Sequence, residues 1–219
     1  MNVFDILGPV MIGPSSSHTA GAARIGRITR TLLGGPAVKA DILLHGSFAK
    51  TYKGHGTDKA LIAGIMGMAT DDVRIRQAPE LAKQAGLDVH ISTGDIDGAH
   101  PNTAKVTLTD AKGRQVSLLG SSIGGGNILV TEVNGMEVSL TGQYATLIVL
   151  HKDAPGTIAA VTEVMAEEGI NICNFRLSRQ KKGGEAVMTI ELDGKPSPEI
   201  NKKINTLPNI YSSTMLQPI

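Results

Sequence analysis

From residue 145 onward the chain alternates strand and helix patterns in an order that few folds accommodate. Ala145–His151 reads as a strand, Gly156–Glu168 as a helix and Asn171–Arg179 as a second strand. A Lys182-Gly183-Gly184 turn leads into strand Glu185–Leu192, and helix Pro198–Thr206 and strand Asn209–Met215 follow. The order is βαββαβ, which packs as a split, ferredoxin-like sheet with both helices on one face. In the first of these helices Ile158, Val161 and Met165 recur at helical spacing and are expected to point inward.

Residues 1–143 have a different texture, rich in glycine and serine and carrying five of the six histidines. Thr19–Leu33 predicts a helix, with Ile25, Ile28 and Leu32 on one stripe, stopped by Gly34-Gly35-Pro36. Val38–Leu44 predicts a strand, and Thr57–Met68 a helix apolar on most of its surface and therefore buried. A short helix is expected at Pro79–Ala85. Strands are expected at Leu87–Thr93, Thr103–Thr109, Gln115–Leu119, Ile128–Val133 and Met136–Leu140. Between the last two, Asn134-Gly135 is a hairpin turn signal, because both residues tolerate positive φ. The first region is thus an α+β domain with a largely antiparallel sheet, and the join is expected between Gln143 and Tyr144.

Composition excludes several classes of function. Lys plus Arg is 21 against 20 Asp plus Glu, so no charge imbalance points to nucleic acid or an anionic membrane. Aromatic residues make up 3% and Trp is absent, which argues against base stacking. No apolar run approaches the ~20 residues that span a bilayer, and Met1–Gly13 lacks the features of a signal peptide. The single cysteine, Cys173, cannot form an internal disulfide, which fits a reducing cytoplasm. Nor can it hold an iron–sulfur cluster alone. No other metal-binding pattern occurs: there is no His-Glu-x-x-His, no clustered Cys and no Asp-rich calcium loop.

Four polar segments carry the residue types that do chemistry. Gly13-Pro14-Ser15-Ser16-Ser17-His18-Thr19 precedes a helix, where N–H groups suit a carboxylate; the plainer reading is a capping box. His45 to Asp58 contains His55 between two glycines, a histidine able to accept a proton near neutrality, with Thr57 or Asp58 as cap of the next helix. Its plainer reading is an exposed loop. His100-Pro101-Asn102-Thr103-Ala104 sets an imidazole and an amide two residues apart, or is simply a surface turn. Gly120 to Asn127 offers backbone N–H groups to an anion. It lacks a P-loop ending, and no helix follows, so nucleotide binding is rejected. A Ser-His-Asp hydrolase lacks its Gly-x-Ser-x-Gly elbow.

In their order along the chain, these segments resemble the beta chain of bacterial iron–sulfur L-serine dehydratases. Phe4 to Gly13 running into Pro14–Thr19 is one anchor; Tyr52–Asp58, His100–Ala104 and Ser122–Gly126 are three more. The chain departs from the family at His45, where members often carry a tyrosine before Gly-Ser. The resemblance implies an allosteric-substrate-binding-like domain over 1–143, as in some phosphoglycerate dehydrogenases, and an ACT domain over 144–219. It also implies a separate alpha chain whose three cysteines hold a 4Fe-4S cluster, no metal ligand in this chain, and no pyridoxal phosphate. The implied reaction turns L-serine into pyruvate and ammonia in the cytoplasm, serving amino-acid degradation and gluconeogenesis. Its open iron acts as a Lewis acid on the β-hydroxyl. On this resemblance His55 and His100 are candidates for the base, with His18 beside them. Ser15, Ser16, Ser17, Thr19, Thr57 and Asn102 would hold substrate, and the ACT domain would pair two copies of the chain. An amino-acid sensor without catalysis and a non-catalytic scaffold subunit are the competing readings; the polar histidine segments disfavour the sensor.

Overall fold

The computed structural model describes residues 11–194, 196–197 and 199–218. The expectations for residues 1–10, and Pro198 at the start of the last expected helix, lie outside them. The chain forms two compact units, Met1–Asn134 and Gly135–Ile219, a division earlier in the chain than the 143/144 join expected from the sequence.

The first unit opens with a π-helical turn, Ser16–Gly21, which runs into α1 (Ala22–Leu33). The helix therefore begins three residues before Thr19. Gly34, left-handed at φ 78°, stops it as expected. Strand β1 (Lys39–Leu44) follows, then α2 (Gly46–His55) and α3 (Thr57–Ile65). Helix α2 corrects the plainer reading of this segment as a loop. Its two internal glycine neighbours, its threonine and its low apolar content conceal a helix that is anchored by tertiary contacts rather than by propensity. A 3-10 turn, Val73–Gln77, precedes α4 (Ala78–Gln84).

Strands β2 (Asp88–Thr93), β3 (Thr103–Thr109), β4 (Gln115–Gly124) and β5 (Asn127–Val133) complete the unit. They lie with β1 in the order β2-β1-β3-β4-β5. Only β1 and β2 run parallel, from Lys39 opposite Asp88 to Leu44 opposite Thr93; the other pairs are antiparallel. Strand β4 is longer than expected and takes Gly120, Ser121 and Ser122 into the ladder. The supposed anion loop thereby shrinks to the Gly125-Gly126 turn.

Helices α1 and α3 meet almost backbone to backbone. A Cβ on Gly26 would lie 2.4 Å from the Leu61 carbonyl oxygen, and one on Gly64 would lie 2.0 Å from that of Ala23. Glycine in mid-helix costs about 1 kcal/mol of propensity. Here close packing requires it, which explains why an apolar helix carries one.

Asn134 and Gly135 both have positive φ, 51° and 76°, as the turn signal demanded. Beyond them come β6 (Met136–Leu140), β7 (Ala145–Lys152), α5 (Thr157–Glu167), β8 (Ile172–Arg179), β9 (Glu185–Leu192), α6 (Glu199–Asn205) and β10 (Ile210–Leu216). The last four strands form an antiparallel sheet in the order β10-β7-β9-β8, the split βαββαβ arrangement. Leu147, Val149, Met188, Ile190 and Leu192 from the sheet pack on Val161, Val164, Met165, Ile200 and Ile204 from the helices. Burying each of these aliphatic side chains stabilises by about 1.5–3 kcal/mol. The expected inward stripe of α5 is rotated: Ile158 is 41% exposed, and Val164 takes its place beside Val161 and Met165.

Candidate active site

The π-helical turn sets out the site. Ser15 is its N-cap; its Oγ accepts the backbone N–H of His18 at 3.3 Å and lies 3.2 Å from Nδ1 of the same ring. The other ring nitrogen, Nε2, lies 3.3 Å from Oγ of Ser47 in the first turn of α2. The buried His18 ring stands edge-on to Phe48, with centroids 5.2 Å apart, and to His55, at 4.6 Å. Burial, and then the charge of His55, lowers the His18 pKa below its ordinary 6.5, so His18 is neutral near pH 7.

The start of α2 is fixed by the His100–Thr103 segment. His45 N donates to the Thr103 carbonyl at 3.0 Å and Ser47 N to the Pro101 carbonyl at 2.7 Å. Gly46, at φ 58°, lies so close to Pro101 that a Cβ would be 2.5 Å from its carbonyl oxygen. That contact carries Ser47 to His18 and places His55 at the far end of the same helix.

His55 lines an open cavity of about 380 Å³, with Ile12, Gly13, Pro14, Thr19, Lys53, Gly54, Gly56, Lys59 and Arg76. Among the described residues, three cations and no carboxylate line it. None of Lys53, Lys59 and Arg76 forms an ion pair among the described residues, and Lys53 only approaches the Tyr52 ring, at 5.9 Å. Thr19 is 1% exposed, and its hydroxyl has no partner among the described residues. The buried hydroxyl of Thr57, next to Gly56, is unpartnered too. Thr57 is the first residue of α3 rather than its cap, since Gly56 is the N-cap and no side chain caps the helix.

The remaining candidates divide. Ser16 and Ser17 are half-buried in the turn. Asn102 reaches the Ser122 carbonyl at 3.5 Å through Nδ2, while its Oδ1 and the Ser122 hydroxyl are buried without partners among the described residues. His100 is exposed, and neither a ring contact nor a hydrogen bond joins it to His18 or His55 among the described residues. Its Nδ1 accepts the Asn102 backbone N–H at 3.1 Å, which places the neutral ring's hydrogen on Nε2 and leaves no free lone pair.

Sequence reasoning missed Ser47, Lys53, Lys59 and Arg76 as site residues. The last two belong to different elements, and only the folded chain brings them to one cavity. It also missed Arg24 of α1, whose half-buried guanidinium donates to the Gly126 carbonyl at 2.5 Å and pins the glycine turn. Burial, and then Arg27, lowers the Arg24 pKa.

Comparison with known proteins gives this arrangement its family. Residues 2–94 match the family model described as serine dehydratase beta chain, and residues 145–209 match the ACT domain model. The "Probable L-serine dehydratase, beta chain" of Bacillus subtilis is 47% identical over 98% of this chain and 97% of its own length. The chain belongs to the serine dehydratase beta chain family. A second member, the "L-serine dehydratase, beta chain" of Peptoniphilus asaccharolyticus, is 38% identical over 90% of this chain and 89% of its own. A D-3-phosphoglycerate dehydrogenase of Methanocaldococcus jannaschii is 29% identical over 86% of this chain but only 36% of its own length. His18 and His55 both fall within the matched beta-chain segment, and His151 lies within the matched ACT domain.

Proposed function

We propose that the chain is the beta subunit of an L-serine dehydratase that converts L-serine to pyruvate and ammonia together with a separate alpha chain. The carrying observation is the cavity: His55, three cations and the Thr19 hydroxyl converge on it, and among the described residues neither the cations nor the hydroxyl has a partner there. An amino acid's carboxylate suits the cations of Lys53, Lys59 and Arg76 and the hydroxyl of Thr19. Ser15, Ser16 and Ser17 at the helix start add polar contacts, and Thr57 and Asn102 orient the amino acid.

We assign the base to His55 rather than to His100, whose Nδ1 already accepts the Asn102 N–H. His55 takes the α-proton, and the electron pair released forms the Cα–Cβ double bond as the β-carbon–oxygen bond breaks. The proton gained by His55 is what the departing hydroxide needs to leave as water. The aminoacrylate tautomerises to an imine, and water releases ammonia and pyruvate. Neutral His18, 4.6 Å away, orients the His55 ring without adding a second positive charge.

The residues present do not fit a four-iron cluster. Thiolates must hold such a cluster, the chain has the one cysteine, Cys173, and the described residues contain no group of three or more metal-ligating side chains. We therefore assign the cluster to the alpha chain. The second unit is read as regulatory, pairing two copies of the chain within the cytoplasm; a strictly monomeric mass at micromolar concentration counts against that pairing. No helix among the described residues is long and apolar enough to cross a membrane.

The test is anaerobic co-expression with a cysteine-bearing alpha chain, followed by iron and sulfide analysis and a pyruvate assay. Pyruvate from L-serine is expected of the complex and not of this chain alone. A complex loaded with iron that forms no pyruvate overturns the reading.

A further inference from the structure

Six histidines can be compared by what their ring nitrogens touch. Nδ1 of His45 accepts the Ile96 N–H at 3.0 Å, and Nδ1 of His100 accepts that of Asn102 at 3.1 Å. Both neutral rings are thereby fixed with hydrogen on Nε2. Nδ1 of His151 faces the Lys152 carbonyl at 2.7 Å and must donate, which fixes the opposite tautomer. His55 and His90 have no ring hydrogen bond among the described residues. His18 differs from all of these, because each of its nitrogens faces a serine hydroxyl, Ser15 at 3.2 Å and Ser47 at 3.3 Å.

A hydroxyl donates one hydrogen and accepts others. With hydrogen on Nε2, His18 donates to Ser47 and accepts from Ser15. With hydrogen on Nδ1, the roles reverse and no hydrogen bond is lost. Ser15 can also accept the His18 backbone N–H in both states, since its oxygen has two lone pairs. Neither backbone carbonyl nor carboxylate offers this symmetry.

We propose that Ser15, His18 and Ser47 form a tautomer-switching proton relay, in which Ser47 is a positioning residue for the ring beside His55. One proton enters at Ser15, next to the cavity residue Pro14, as Ser15 gives its own to Nδ1. The Nε2 hydrogen passes to Ser47, which releases its own to water at that half-buried position. Each O–H or N–H bond broken is matched by one formed. The ring ends in its other tautomer, and no charge stays on it. The relay rests on the dehydratase reading for the origin of the proton. That proton is the one the aminoacrylate nitrogen gives up as it tautomerises while its methylene carbon takes one from water, the His55 proton having left with the hydroxide. The tautomer exchange itself is a property of this chain.

The experiment is a long-range ¹H–¹⁵N correlation spectrum of the full chain labelled at histidine. His45 and His100 calibrate one tautomer and His151 the other, and His18 is expected between them at both nitrogens. Ser47→Ala should collapse His18 to a single tautomer and Ser47→Thr should restore the exchange. In the complex, Ser47→Ala should lower kcat about three- to tenfold, the worth of one hydrogen bond, with KM within about twofold, and Ser47→Thr should recover it. A single fixed tautomer for His18 in the unsubstituted chain overturns the proposal, and that spectrum decides even if Ser47→Ala does not fold. So does exchange that is lost in Ser47→Ala without any change in kcat. A complex that forms no pyruvate while His18 still exchanges removes the dehydratase reading and leaves the tautomer exchange standing.

Discussion

Each unit buries a histidine, and the two are held in opposite ways. His151 in β7 is 1% exposed, ties Nδ1 to a backbone carbonyl and leaves Nε2 without a partner among the described residues. His18 is 8% exposed, and both its nitrogens reach hydroxyls. A carbonyl can only accept, so His151 is a packed side chain with one proton position. Paired hydroxyls leave His18 free to move its proton. Burial alone therefore does not separate a structural imidazole from a functional one; the chemistry of its partners does.

Substitution at the histidines gives the largest expected difference. His55→Ala in the complex should lower turnover by about 10²–10⁴, as for a positioned general base, while changing stability by less than about 0.5 kcal/mol. His100→Ala should cost less than tenfold, about the loss of a single hydrogen bond or less, because its ring has no free lone pair. His151→Leu should leave kcat per folded enzyme unchanged. Steady-state rates beside urea unfolding separate these outcomes. An inactive His151→Leu that is fully folded would break the comparison.

Packing sharpens it next. Leu147→Ala in the second unit should cost about 2–5 kcal/mol, as a large aliphatic lost from a core. In the first unit Gly64→Ala should also destabilise, by about 1–3 kcal/mol, although alanine is the better helix former. The added Cβ has no room against the Ala23 carbonyl. Thermal unfolding measures both, and a stabilised Gly64→Ala would show that α1 and α3 can move apart at little cost.

The unpartnered threonines come third. Leaving a buried hydroxyl unpaired costs about 1–3 kcal/mol, so Thr19→Val and Thr157→Val should each stabilise, by up to about that amount. Only Thr19→Val should also raise KM for serine, because only Thr19 lines the cavity. Equal effects on KM would remove Thr19 from the site.

These contrasts follow how legible each unit was. The second could be read nearly element by element, since strand and helix periods there coincide with an apolar core. The error at Ile158 was one of helix rotation, which three apolar positions do not fix when Val164 competes. In the first unit the strand pattern was equally clear, but α2 was not. Its sequence, Gly46-Ser47-Phe48-Ala49-Lys50-Thr51-Tyr52-Lys53-Gly54-His55, buries only Phe48, and its start is held by the Pro101 carbonyl rather than by a cap. The histidines and serines of the site stood out by type. Lys53, Lys59 and Arg76 did not, because isolated cations at irregular spacing look like ordinary surface until folding gathers them.

The smallest expected effect is a dependence of stability on pH. His18 has its pKa lowered from 6.5, by burial first and by the neighbouring His55 charge second. Lys53, Lys59 and Arg76 line the cavity beside His55, from α2, α3 and the 3-10 turn, but the His18 shift comes from burial and from His55. Between the unfolded and the lowered folded value, the unfolded chain binds the proton more readily than the folded one. Stability then rises with pH across that window. The contribution is fully present above 6.5, declines as pH falls below it, and stops changing once the folded ring itself protonates. The urea midpoint, followed from about pH 5 to about pH 8, should therefore climb with pH in the unsubstituted chain and climb less in His18→Gln. If His18→Gln leaves the slope intact, the pH dependence belongs to other groups and the neutral ring beside His55 loses its support.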